Sequence, residues 1–245
     1  MKLSIKVKDI SIDQLEKIYF NCLDCDYWFD YKGLGFLDEL SRARSFGDVR
    51  WFIKGRLFQK KGSGDGRKKF LKFKASGGKI KGAFTGRRCI GVIMAGDYYL
   101  FPRLKSFNIY PPDSKSTFLA CIYVIPEYRD MGVDKRLLIE IERELIEEKV
   151  ESIEAIGKRI DDDMDEEEYE NIPLIPFKFL INNGFYLKKN DPLYPLLRLD
   201  LKSIAVNFAE SRVVPGKMAL EEEIKSPMIM KDKETPLMES YLSFK

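Results

Sequence analysis

An α/β fold built around a mixed β-sheet is what this sequence predicts, and three stretches predict it. Residues 79–101, KIKGAFTGRRCIGVIMAGDYYLF, hold two apolar runs with turn residues Thr85, Gly86 and Arg87 between them, the mark of an antiparallel hairpin. Residues 117–125, TFLACIYVI, form a short continuous apolar run that stops at Pro126, as expected of a strand covered on both faces. From about Asp134 to Lys149, Leu137, Leu138, Ile141 and Leu145 fall on one helical face with Glu and Arg residues opposite, and ESIEAIG follows. A helix that long carries the chain back across the sheet, so ESIEAIG is expected to run parallel to TFLACIYVI.

The other elements follow in chain order. LSIKVKDI alternates apolar and polar residues and predicts a first strand. Ser11 and Asp13 offer N-cap oxygens to a helix whose apolar positions are Ile12, Leu15, Ile18, Tyr19 and Cys22. Residues 24–47 are rich in aromatics and glycine without a period. A second helix is expected over Asp48 to Lys60, ended by the Gly62–Gly66 cluster. After an acidic loop, a short helix is expected near Pro176 to Asn183, closed by Gly184, and FYLKKN and YPLLRLDL carry strand character. Residues 1–202 form the expected domain. Residues 203–245 show no sustained period and form an extension, which Met218, Met228, Ile229 and Met230 mark as a candidate docking arm for a partner or a second subunit.

Composition narrows the function. With 245 residues, 44% of them hydrophobic, the chain can bury a sizeable core, and it lacks the apolar run of about 20 residues that a spanning helix needs. A soluble cytoplasmic protein away from membranes, monomer or homodimer, is the expectation. The net charge of +3 balances 42 basic against 39 acidic residues, which disfavours nucleic-acid binding, although lysine and arginine crowd residues 54–81 and DDDMDEEEYE spans 161–170. Both patches read as solvated loops. The chain has no histidine, which removes His-based triads and the commonest general base near neutral pH. Cys22 and Cys25 form a C-x-x-C, but Cys89 and Cys121 lie far off in sequence, so no metal site is expected and a thiol pair at the end of the first helix is.

The chemistry concentrates in Tyr123 to Leu138, YVIPEYRDMGVDKRLL. A buried strand ends at a proline, the chain turns at an arginine and a glycine, and a long helix begins. Unpaired amides at such a turn, with the positive end of the helix dipole, make an anion site. Gly132 allows close approach, and Arg129, Lys135 and Arg136 add charge.

This segment resembles the pyrophosphate loop of the GNAT N-acetyltransferases, Q/R-x-x-G-x-G/A after V-x-P-x-Y, in Val124, Pro126, Tyr128, Arg129 and Gly132; Asp134 stands where the last Gly or Ala would be. FLINNGFYL resembles a second signature of that superfamily through Phe179, Gly184 and Phe185. A bacterial subgroup without an agreed substrate is similar over roughly residues 1–201, sharing Cys22, Cys25, Tyr27, Trp28, Pro102, Arg103, IEAIG and the closing Pro192, Tyr194, Pro195, Leu196, Arg198. The resemblance implies a central mixed, twisted sheet with helices on both faces and a V-shaped splay between two parallel strands. It implies acetyl-CoA as co-substrate and no metal, with Ile122, Tyr123 and Val124 along the pantetheine and Arg129, Asp130, Met131, Gly132, Val133, Asp134 and Lys135 around the diphosphate. A primary amine of a small molecule or protein would be acetylated directly. A tyrosine that many members use as acid is replaced here by Leu180, leaving Tyr123 or Tyr186 for the role. Glu154, on the strand bordering the splay and expected in apolar surroundings, is the candidate base, with a lysine-paired structural carboxylate as its alternative. Cys121 and Tyr123 share a sheet face and are candidate cleft residues. The acidic loop would attract a cationic acceptor. A GNAT-fold protein that binds acyl-CoA or scaffolds a partner without catalysis is the alternative function.

Overall fold

The computed structural model describes residues 4–11, 22, 25–29, 66–160, 169 and 172–202. Their elements in chain order are β1 (Lys6–Asp9), α1 (Gly66–Ala75), β2 (Lys79–Thr85), β3 (Arg88–Asp97), β4 (Thr117–Val124), α2 (Val133–Glu147), β5 (Ser152–Lys158), β6 (Ile175–Pro176), α3 (Phe177–Asn182), β7 (Tyr186–Lys189) and β8 (Leu196–Asp200). Eight strands join in one sheet ordered β1-β2-β3-β4-β5-β8-β7, with β6 paired to β5. Pairing is antiparallel except between β4 and β5 and between β5 and β6. This is the expected mixed sheet, and α2 is the crossover that makes β4 and β5 parallel.

Each face of the sheet has its own apolar layer. On one, Phe70 and Phe73 of α1 pack with Trp28, Phe101 and Phe118; on the other, Leu137, Leu138, Ile141 and Leu145 of α2 and Leu180 of α3 pack with Ile93, Leu119, Ile153 and Leu197. Gly91 explains how α2 lies so close to β3. A Cβ there would come within 3.2 Å of Leu137 and of Val133 and 3.0 Å of the Tyr123 carbonyl.

Helix α1 corrects the reading of the lysine-rich stretch as a solvated loop. Gly66 begins a helix where it was expected to end one. Phe70 and Phe73, three residues apart, share a face, and burying each is worth roughly 2–3 kcal/mol. The lysines flanking them hid that spacing by their number. The expected helix over 48–60, nearly all of the helix over 12–22, the acidic loop apart from Tyr169, residues 54–65 and the extension 203–245 lie outside the described residues.

The feature that positions the site is where β4 and β5 part. They pair at Thr117↔Ile153, Phe118↔Glu154 and Leu119↔Ala155, and the pairing goes no further. On its other edge β4 pairs with β3 at Leu119↔Ala95 and next at Cys121↔Met94, so Ala120 is an extra residue opposite no partner. Such a bulge bends and twists its strand. It falls immediately after the last β4–β5 pair. The indole Nε1 of Trp28 donates to the Ala120 carbonyl at 2.9 Å, satisfying a buried acceptor at the bulge. Beyond the split, β5 pairs instead with β6 at Gly157↔Ile175 and Lys158↔Pro176. The two parallel strands splay as the resemblance implies.

Candidate functional site

A cavity of about 490 Å³ occupies the split and reaches both sides of it. Toward α2 its walls include Ile122, Val124, Arg129, Asp130, Asp134 and Phe179; toward α1 they include Cys22, Trp28, Phe29, Phe73, Met94 and Cys121. Tyr123 lines it between them.

The loop entering α2 has the geometry of an anion cradle. Pro126–Tyr128 form a single 3-10 turn, and the chain then passes through two left-handed residues, Asp130 at φ 60° and Gly132 at φ 69°. Gly132 is the N-cap and adds no side-chain oxygen. A Cβ on it would meet nothing within 4 Å, so backbone conformation, not space, calls for glycine there. Arg136 donates its amide to the Gly132 carbonyl at 3.1 Å. The amides of Val133, Asp134 and Lys135, ahead of it, lack a carbonyl one turn earlier in the helix. Asp134 answers one of them: its Oδ1 accepts from the Lys135 amide at 2.8 Å. Asp134 thus sits inside the first turn, lines the cavity and occupies one of these three amides. Arg129 lines the cavity, with its Nε 3.5 Å from the Val124 carbonyl. Met131 is exposed, Val133 is buried under the loop, and neither they nor Gly132 and Lys135 line the cavity.

Glu154 is placed elsewhere. It lies in the closed part of the parallel ladder, opposite Phe118 on one side and Arg198 on the other, and is fully buried. Its carboxylate accepts from the Asp113 amide at 2.9 Å and the Ser116 hydroxyl at 3.3 Å, and it pairs with Arg198 at 3.3 Å and with Lys188. The apolar surroundings expected of it are replaced by two cations, because β8 sets Arg198 directly across the strand. It does not line the cavity, and its surroundings are those of the lysine-paired alternative. Tyr186 joins the same cluster, its hydroxyl donating to Asp200 at 2.8 Å. The Arg198 guanidinium beside Asp200 holds that carboxyl below its usual range, and a hydrogen bond from the Lys115 amide, with Arg198 and Lys188, does so for Asp113. Of the three candidate catalytic residues, only Tyr123 lines the cavity. Leu180 is buried in the core, and its neighbour Phe179 lines the cavity in its place.

Cys121, far from the C-x-x-C in sequence, shares the cavity wall with Cys22 and Cys25. Burial pushes the Cys22 thiol up to about 12 and raises Cys121 well above its ordinary value, each further raised by its thiol neighbours. Among the described residues no group of three or more Cys, Asp or Glu is arranged to hold a metal ion. Trp28 and the α1 aromatics were missed as site residues. The i, i+3 spacing of Phe70 and Phe73 was the available signal; the indole's target, a bulge carbonyl, leaves no trace in sequence.

No protein-family model and no curated protein matches the chain. Among solved structures it is similar to PaiA N-acetyltransferase from Thermoplasma acidophilum in complex with coenzyme A, at 17% identity over 81% of this chain and 99% of that one, TM-score 0.46. An acetyltransferase from Thermus thermophilus is similar at 10% identity over 81% and 97%, TM-score 0.45. An acetyltransferase of the GNAT family from Staphylococcus aureus is similar at 16% identity over 81% and 99%, TM-score 0.42. No helix among the described residues is long and apolar enough to cross a membrane.

Proposed function

We propose that this chain is a GNAT-type N-acetyltransferase that transfers acetyl from acetyl-CoA directly to an amine. The observation that carries this reading is the cavity running through the split of the parallel pair, with a left-handed, amide-rich helix start at one end and an aromatic-lined chamber at the other. A diphosphate fits the loop chemically: the Val133 and Asp134 amides, the α2 dipole and the Arg129 guanidinium all favour an anion there. Strand β4 beyond Leu119 has lost its β5 neighbour, which leaves a strand edge for the amide groups of a pantetheine arm.

In the proposed reaction the amine nitrogen attacks the thioester carbonyl, the C–N bond forms as the C–S bond breaks, the departing thiolate takes a proton, and the nitrogen loses one to water. Tyr123, lining the cavity between its two ends, is the proposed acid. Glu154, held by two cations outside the cavity, is proposed as a positioning residue for the sheet beneath the split. Asp134 favours the competing reading, an acyl-CoA-binding protein without turnover, because it brings negative charge to the phosphate end.

Calorimetry with acetyl-CoA decides the first half. Saturable binding is expected, weakened about tenfold or more by Arg129→Ala, the scale of a charge-assisted hydrogen bond. Absence of binding by the unaltered chain rules the reading out. Release of coenzyme thiol on adding an amine separates transferase from binder, and Tyr123→Phe is expected to slow that release while sparing acetyl-CoA affinity.

A further inference from the structure

The chamber on the α1 side of the split has a composition that selects among amines. Phe73 of α1, Met94 of β3, and Trp28 and Phe29 from the segment before α1 line it, and Cys22 and Cys121 complete the wall. The rings brace one another edge-on: Trp28 against Phe118 at 5.2 Å and 78°, Phe29 against Phe73 at 5.8 Å and 69°. The two thiols stay protonated near neutral pH because burial raises them, so they add soft apolar surface and no charge. Among the described residues, the charged groups that line this end are ammonium groups. Lys69 is paired with Asp26, and the buried Lys158 donates to the carbonyls of Tyr169 and Ile172.

An alkyl ammonium entering such a chamber loses its hydration, meets the Lys158 ammonium, which only neutral carbonyls hold, and must still give up a proton before it can attack. Among the described residues that line this end, none is a carboxylate. An amine attached directly to an aromatic ring avoids all three costs. Its conjugate acid is already deprotonated near neutral pH, its lone pair is available on arrival, and its ring gains area and edge-to-face contact against Phe29, Phe73 and Trp28. We infer that the acceptor of this site is a weakly basic aromatic amine, bound ring-first among Trp28, Phe29, Phe73 and Met94 and neutral when it binds. This rests on the acetyl-transfer reading for its chemistry, though not for its binding. It also sets aside the cationic acceptor expected from the acidic loop. Aromatic walls can attract cations; here Lys158 already sits over the Tyr169 ring at 4.1 Å.

Fluorescent 2-naphthylamine tests the binding half without any coenzyme. Saturable binding is expected, weakened about tenfold in Phe29→Ala, the value of an aromatic contact with its buried area. Because Phe29 is partly buried, Met94→Gln serves as a second variant should the first fold poorly. With acetyl-CoA present, aniline and 2-naphthylamine are expected to release coenzyme thiol with kcat/KM at least about tenfold above cyclohexylamine and spermidine, the discrimination that pocket contacts of this size give. Absence of saturable naphthylamine binding overturns the inference, and so does a preference for spermidine or cyclohexylamine. If acetyl-CoA fails to bind while naphthylamine binds as described, the transferase reading falls and the aromatic-amine site stands.

Discussion

The two ends of one parallel strand pair differ completely in what fills them. At the lower end, β4 and β5 are closed by polar groups: Ser116 and Ser152 share a hydrogen bond of 2.7 Å, and Glu154, Arg198, Asp113 and Lys188 form a tight ionic cluster. At the upper end, one extra residue, Ala120, bends β4 away and an apolar cavity takes the place of the ladder. The difference teaches that the sheet holds a gap open by placing its buried polar chemistry below the gap. A carboxylate near a cleft is then no evidence of catalysis, since Glu154 lies on the right strand with the wrong neighbours.

The largest expected effect is at the hinge between the ends. Trp28→Ala should cost about 4 kcal/mol, the usual loss for a buried aromatic, measured by urea unfolding. Trp28→Phe keeps most of the ring but orphans the Ala120 carbonyl, with an expected cost of about 2 kcal/mol. A cost near zero for Trp28→Phe would break the comparison, because the indole bond would then have no part in holding the bulge. Next comes Glu154→Gln, expected to cost about 3 kcal/mol by leaving two cations facing a neutral group, with acetyl-CoA affinity unchanged. A large loss of turnover with no loss of stability would return Glu154 to the catalytic role first expected of it.

The ends should also answer to pH with opposite signs. Asp113 and Asp200 have folded pKa values depressed below the ordinary 3.8, so their contribution is fully present above that value and is lost as pH falls through the depressed values. Helix α2, which follows the loop proposed for the diphosphate, holds Glu142, whose pKa burial raises from 4.5 to about 7 against a smaller opposing pull from Lys135. Its stabilising effect, relative to higher pH, is complete below 4.5 and disappears as pH rises through about 7. Glu142→Gln should therefore add about 2 kcal/mol at about pH 8 and nothing at about pH 4, measured by urea unfolding at the two values. A gain of the same size at both would show that packing, not ionisation, is at work.

Much of this arrangement was legible in the sequence, for reasons that differ by region. Strands β2 through β5 and helix α2 announce themselves because continuous apolar runs, a Thr-Gly-Arg turn and a 3.6-residue stripe are local signals. The loop proposed for the diphosphate was legible because a glycine and an arginine follow a proline-ended strand. The role of Glu154 was not, since Lys188 and Arg198 approach it from 34 and 44 positions away in sequence. Nor was the thiol cluster, because Cys22, Cys25 and Cys121 meet only when β4 bulges over the segment that holds Trp28. Local periodicity fixes elements; which polar groups neutralise one another is decided by cross-strand register, and that has no local signature.

Asp134 gives the smallest effect and bears most directly on the open end. Its carboxylate ties up the Lys135 amide at 2.8 Å and adds charge where a diphosphate would bind. Removing the charge while keeping the shape, with Asp134→Asn, should tighten acetyl-CoA binding by about 1 kcal/mol, roughly fivefold, for a like-charge pair near the surface. That gain should shrink as salt rises, since screening already relieves exposed repulsion. Asp134→Gly releases the amide as well but gives up helix propensity in the first turn of α2, so its gain in affinity comes with lower stability. If Asn tightens binding and Gly tightens it further, the amide and the charge act separately. If neither does, the carboxylate turns away on binding, and the fault lies in assigning the diphosphate to the first turn of α2 rather than to the Arg129 side of the loop.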